Sequence, residues 1–179
     1  ALGESPTYQA MPVGNAGNIS AYWAGYRRYH EAGRMKHRPK MLGFQAAGAA
    51  PLVVGKPVAK PETLASAIRI GNPAGWSTAL EARDQSGGLI DKVTDQEIVA
   101  AYRTLGKLEG VFCEPASAAG VAGILKLAQR GFFQAGDTIV CILTGHGLKD
   151  PETALAVSPP PKSLPANVEA VAVHLGLTE

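Results

Sequence analysis

The chain has little that would tie it to an oxidising compartment, a membrane or a charged polymer. Only 2 cysteines occur among 179 residues, too few for the disulfide framework that staples small secreted domains. Cys113 and Cys141 sit in the apolar runs Val111–Cys113 and Ile139–Leu143 and read as buried, reduced thiols of a cytoplasmic protein. No apolar run approaches the roughly 20 residues that cross a bilayer, and no charged-then-apolar signal opens the chain. A net charge of +2 is too small to point to nucleic acid or an anionic membrane as partner. The one basic cluster, Arg34, Lys36, His37, Arg38 and Lys40, falls between a predicted helix and a predicted strand and reads as a solvated helix C-terminus. What is present is an ordinary globular mix, 46% apolar and 18% charged, able to bury a core. The opening Ala1–Pro6 is loop-like and lacks an initiator methionine, which suggests the interior of a longer protein.

Strand and helix signals alternate. Tyr8–Val13 predicts a strand, and Ile19–Glu31 carries apolar and aromatic residues at helical spacing, stopped near Gly33. Met41–Ala46 is a second strand, and Ala47–Lys60, rich in Gly, Pro and Ala, reads as irregular. Thr63–Ile70 is a short helix or turn, Trp76–Ser86 a helix and Leu89–Val93 a strand. Thr94-Asp95-Gln96-Glu97 has the capping-box pattern and opens a helix to about Glu109. Val111–Cys113 reads as a brief strand, Ala116–Arg130 as a helix of small residues and Thr138–Leu143 as a buried strand. Asp150-Pro151 supplies an N-cap and a first-position proline. A proline-rich stretch, Ala156–Pro165, precedes a last short helix over Asn167–Leu175. This order predicts a three-layer α/β/α arrangement with a mostly parallel sheet, residues 1–156 forming the body and 157–179 a linker with a terminal helix.

In such sheets ligands gather where strands end and helices begin. Two loops stand there. Gly14-Asn15-Ala16-Gly17-Asn18 joins a strand to an amphipathic helix, whose unpaired N–H groups and partial positive charge suit a phosphate dianion. Its glycines admit close approach to the main chain, and Asn15 and Asn18 can add side-chain donors. The same composition also fits a plain strand-to-helix turn. The spacing is neither that of a dinucleotide fingerprint nor that of a nucleotide P-loop. The second loop, Thr144–Asp150, ends the buried strand. Thr144 emerges there with a neutral hydroxyl, suited to a heteroaromatic nitrogen. His146 reads as a loop-holding residue and Lys149 as part of a solvated cap.

Taken in order, these segments resemble threonine synthase. The likeness runs through Pro12–Ile19, Leu42–Pro51, Ala67–Pro73, Ser86–Gly88, Phe112–Ala119 and Leu143–Pro151, nearly the whole chain up to about Ala156. It implies the carboxy-terminal part of a pyridoxal-phosphate fold of the tryptophan-synthase-β type, a cytoplasmic homodimer, and conversion of O-phospho-L-homoserine and water to L-threonine and phosphate. Carried over by position, Gly14, Asn15, Ala16, Gly17 and Asn18 would hold the phosphate of pyridoxal 5'-phosphate, and Thr144 would face the pyridine nitrogen. Asn15 would also reach the substrate phosphate, Ala67 and Ile68 would flank the ring, and Glu114 would lie near the site without an assigned role.

One departure is large. The resemblance puts the Schiff-base lysine and the substrate-carboxylate loop upstream of the phosphate loop, yet residues 1–13 contain no lysine. The chain is therefore expected to have no catalytic residue of its own and to need the missing amino-terminal half as a partner. The competing readings are a serine/threonine dehydratase of the same fold and a non-catalytic phosphate-binding module.

Overall fold

The computed structural model describes residues 4–160 and 162–177. Strand β1 (Tyr8–Pro12) leads into helix α1 (Gly17–Glu31), and β2 (Lys40–Ala46) into the one-turn α2 (Pro51–Val54). After α3 (Trp76–Ser86) come β3 (Leu89–Val93), α4 (Asp95–Thr104) and α5 (Pro115–Gln129). The chain closes with β4 (Ile139–Cys141), α6 (Pro151–Val157) and α7 (Val168–His174). The sheet order is β3-β2-β1-β4, and each pairing is parallel.

Alternate side chains of the central strands feed two cores, as the two-residue period of a strand requires. Ala10, Leu42, Phe44 and Ala46 pack on one face with Ile98 and Ala101 of α4 and Ala118, Ala119 and Ala122 of α5. Met11, Val13 and Met41 pack on the other with Ile19 and Trp23 of α1 and Ala79 and Ala82 of α3. Helices thus cover both faces, giving the expected three layers. β1 is buried along its whole length, which explains why it reads as an apolar run rather than an alternating one.

Helix α5 lies very close to the sheet. A Cβ on Gly123 would stand 2.1 Å from the Phe44 ring, and one on Gly120 would stand 2.9 Å from the Cys141 sulfur. The small-residue composition of α5 is thus a spacing requirement. Burying Phe44 completely contributes about 1.5–3 kcal/mol.

Several local expectations hold, and a few are corrected. The capping box forms: Glu97 N–H donates to Thr94 Oγ1 at 3.2 Å and Thr94 N–H to Glu97 Oε2 at 2.6 Å. Asp150 accepts from Thr153 N–H, with Pro151 in the first turn. Val111–Cys113 is not a strand. Phe112 C=O accepts from Gly147 N–H and Glu114 N–H donates to Gly145 C=O, so this backbone is tied to the loop after β4, with one isolated bridge between Cys113 and His146. The stretch 47–60 contains the single turn α2, and 63–70 contains a 3-10 turn at Ser66–Ile68. Beyond α4 the helix continues as a π-turn, Leu105–Glu109.

The basic segment lies at the amino end of β2, remote from the carboxyl ends of the strands. Arg38 stands 5.1 Å over the Trp23 ring, Arg34 5.7 Å over Tyr29 and Lys40 5.7 Å over Tyr8. Both cysteines are free, and burial pushes the Cys141 thiol up to about 12. Among the described residues no helix is long and apolar enough to cross a membrane.

Gly123→Ala should lower stability by about 1–3 kcal/mol, since the added methyl must displace Phe44 or lift α5. Urea unfolding measures this, and an unchanged midpoint would contradict the tight helix–sheet contact.

Candidate functional site

β1 and β4 are neighbours, so the loops that leave their carboxyl ends meet. Between them lies a cleft of about 310 Å³ bordered by Gly14, Asn15, Ala16, Gly17, Asn18 and Thr144. Ala67, Ile68, Glu114 and Lys149 also border it. The structure therefore brings all six residues singled out in the sequence into one place.

The first loop is shaped by one unusual backbone angle. Ala16 adopts φ 68°, ψ 5° just before α1, a left-handed conformation that costs a non-glycine residue about 1–2 kcal/mol. The turn lets α1 begin abruptly. Ala16 has no side chain to cap the helix, and no acidic residue occupies the first turn. Among the described residues none accepts a hydrogen bond from the N–H groups of Gly17, Asn18 or Ile19. These donors belong to residues that border the cleft and have no internal competitor, the usual conditions for holding an anion at a helix N-terminus.

Gly14 and Gly17 have different reasons to be glycine. A Cβ on Gly14 would lie 2.9 Å from the Ala67 carbonyl oxygen, whereas one on Gly17 would meet nothing within 4 Å. Gly14 serves packing. At Gly17, which borders the cleft, the space is open. Asn15 is less available than the sequence suggests, because its Oδ1 accepts from Ala74 N–H at 2.8 Å and its C=O from Gly75 N–H at 3.1 Å. Its side-chain amide donor remains, and its carbonyl oxygens fasten the 71–75 loop to the first loop. Asn18 is exposed.

Thr144 is held from beneath by Ser117 in the first turn of α5. The two hydroxyl oxygens are 3.0 Å apart, and Ser117 Oγ accepts from Gly145 N–H at 2.9 Å. Ser117 is fully buried and went unnoticed in the sequence, where a serine among alanines carries no signal. Glu114 precedes α5, yet its carboxylate does not cap that helix. It is 5% exposed, has no hydrogen-bonding partner for its carboxylate among the described residues, and borders the cleft. A Cβ on Gly145 would lie 2.1 Å from the Glu114 carboxylate, so a side chain there would have to push that carboxylate aside. His146 has the loop-holding role expected of it: Nδ1 accepts from Leu148 N–H, and the ring meets Phe112 edge-on at 5.5 Å. Lys149 is exposed, as a cap residue would be, but it also borders the cleft, which its place beside Asp150 did not disclose.

Ser117→Ala should leave the part-buried Gly145 N–H without its acceptor and cost about 1–3 kcal/mol. Denaturant unfolding checks it, and a neutral substitution would show that Thr144 is positioned by something else.

The chain has relatives among known proteins. The threonine synthase of Mycobacterium leprae is 55% identical over 177 residues, covering 99% of this chain and 49% of that protein. The threonine synthase of a Synechocystis species is 57% identical over 154 residues, covering 86% and 40%. A crystal structure of a T.th. threonine deaminase superposes with a TM-score of 0.62 at 22% identity, covering 79% of this chain and 46% of that one, a likeness of fold. The chain spans about half the length of the curated relatives it matches. The family described as pyridoxal-phosphate dependent enzyme matches residues 1–145, a range holding the first loop of the cleft and the start of the second, and the chain belongs to that family.

Proposed function

We propose that this chain is the cofactor-gripping half of a threonine synthase, a pyridoxal-phosphate-dependent lyase that converts O-phospho-L-homoserine and water to L-threonine and phosphate. The observation that carries the reading is the convergence of Gly14–Asn18 and Thr144 on one cleft. The extensive identity to threonine synthases supports it over a serine/threonine dehydratase.

The residues present fit pyridoxal 5'-phosphate. The unpaired N–H groups of Gly17, Asn18 and Ile19 suit its phosphate, and the open space at Gly17 gives that group room. Thr144 would hydrogen-bond the pyridine nitrogen through a neutral hydroxyl, steadied by Ser117. Ala67 and Ile68 would bound the ring, while the side-chain amide of Asn15 is the donor left for a substrate phosphate. When bound, the cofactor supplies an electron sink for proton removal next to the amino-acid nitrogen. The chain's part is to anchor the phosphate end and orient the ring. The reactive amine would come from the half the chain does not span, and the assembled enzyme would be a cytoplasmic homodimer. Residues 1–156 would be the cofactor-holding body and 157–179 an appended linker and helix.

Gly17→Val should reduce affinity for pyridoxal 5'-phosphate by at least about tenfold, or about 1.4 kcal/mol. It should leave the unfolding midpoint nearly unchanged, because no atom stands where the new side chain begins. Titration of cofactor absorbance beside urea unfolding separates the two effects. Equal losses in both would mean that the loop is a structural turn.

The chain alone should form no threonine from O-phospho-L-homoserine. Borohydride treatment with cofactor, followed by peptide mapping, should label no lysine stoichiometrically. Stoichiometric labelling of Lys149, the lysine that borders the cleft, together with threonine formation, would overturn the half-enzyme reading.

A further inference from the structure

One wall of the cleft is built from irregular chain. Residues 55–75 join α2 to α3, and their regular element is the 3-10 turn at Ser66–Ile68. Two of them, Ala67 and Ile68, border the cleft. A segment with so little backbone bonding of its own takes its position from the contacts that others make with it. Its outer parts are fastened backbone to backbone, Val58 N–H donating to Gly71 C=O and Glu62 N–H to Gly48 C=O. The inner part is fastened by a side chain. Asp95 takes two hydrogens from it, one from the Thr63 hydroxyl through Oδ1 and one from Leu64 N–H through Oδ2 at 2.9 Å. Thr63 Oγ1 in turn accepts from Ala65 N–H at 3.1 Å, and Thr63 C=O accepts from Arg69 Nε at 2.8 Å. Thr63 is buried, and through its hydroxyl and its carbonyl it closes the turn from both ends.

Asp95 can serve the segment because α4 does not need it. Thr94 and Glu97 already cap that helix, which leaves the carboxylate beside them to bond outward. A negative side chain is at home near the positive end of a helix, and hydrogen bonds to a charged acceptor are stronger than neutral ones. α4 lies against α5, whose Ser117 meets Thr144. The two helices on one face of the sheet thus steady two separate borders of the cleft. The clamped segment also abuts the first loop. The Ala67 carbonyl oxygen and Ile68 Cα stand 2.9 and 3.1 Å from where a Cβ on Gly14 would lie, whereas the space at Gly17 is open.

We infer that Asp95 is a positioning residue for the ring of the bound ligand: through Thr63 and Leu64 it fixes where Ala67 and Ile68 stand. The inference rests on the functional reading above, which supplies the ring. The phosphate end is held by other means, since Asn15 ties the first loop to Ala74 and Gly75. Loosening the clamp therefore costs the ring its wall and leaves the anion site as it was.

The test compares pyridoxal 5'-phosphate with inorganic phosphate as ligands of Asp95→Asn, which keeps the shape but offers one acceptor oxygen where the carboxylate offers two. Affinity for pyridoxal 5'-phosphate should fall at least about tenfold, while that for inorganic phosphate, followed by phosphorus NMR, should change by less than about twofold. A variant that was merely less well folded would lose both together. Thr63→Val should show the same selective loss, and Thr63→Ser, which keeps the hydroxyl, should retain most of the affinity. The double variant Asp95→Asn with Thr63→Val should lose less than the two single losses combined, since both break one contact. With no ligand added, the Leu64 amide should exchange at least about tenfold faster in Asp95→Asn than in the unsubstituted chain. If Asp95→Asn does not fold, the comparison of Thr63→Val with Thr63→Ser decides. Proportional loss of both ligands, unchanged cofactor affinity, or Thr63→Ser binding as weakly as Thr63→Val overturns the inference. An unchanged Leu64 amide overturns it too. An unsubstituted chain that takes up no pyridoxal 5'-phosphate, while Leu64 still answers to Asp95, would instead sink the functional reading and leave the clamp standing.

Discussion

The close approach of α5 to the sheet is the constraint on which the site depends. Phe44 fills the space over β2, and only a glycine at position 123 lets the helix lie against it. Because the helix is seated there, its first turn reaches the carboxyl end of β4. Ser117 can then hold Thr144 and Gly145, and Glu114 C=O and N–H can join the network around the loop. Raising α5 by the width of one methyl group would separate Ser117 from both partners. Core packing and ligand geometry are the same problem here, solved by a run of small residues.

The elements that were legible in the sequence are those in which local and tertiary demands agree. α3 and β3 match their predicted bounds, and the Thr94 cap is formed as its pattern requires. Tertiary forces decided the rest. Val111–Cys113 has the composition of a strand, but Pro115 starts a helix immediately afterwards and the backbone finds its partners in the 144–147 loop. The two loops of the cleft could be named because they carry glycines at strand-to-helix junctions. Ser117 and the 71–75 loop could not, since their roles arise only when distant segments meet. Asn15 shows the limit most clearly: its type suggests a ligand donor, and its place in the fold also makes it a clamp.

The same cleft assigns different duties to chemically similar groups. Two glycines three positions apart have opposite surroundings: Gly14 lets Ala67 and Ile68 close in, whereas the space at Gly17 is open. Two hydroxyls, Ser117 and Thr144, form a stacked pair in which the buried one orients the one at the cleft. Glu114 stands at a helix start, where a carboxylate can cap the first turn, yet its side chain makes no cap bond and the residue borders the cleft.

Ala16 carries a final consequence. A methyl-bearing residue held at φ 68° is buried against the 71–75 loop, with Gly75 packed tightly against it. Such a turn has few alternatives, so the directions of its N–H groups are fixed by the fold itself. The entropy of arranging the donors is then met during folding rather than at binding. On the proposed reading, an anion entering this turn would meet a finished mould, and the chain around it would have little left to rearrange.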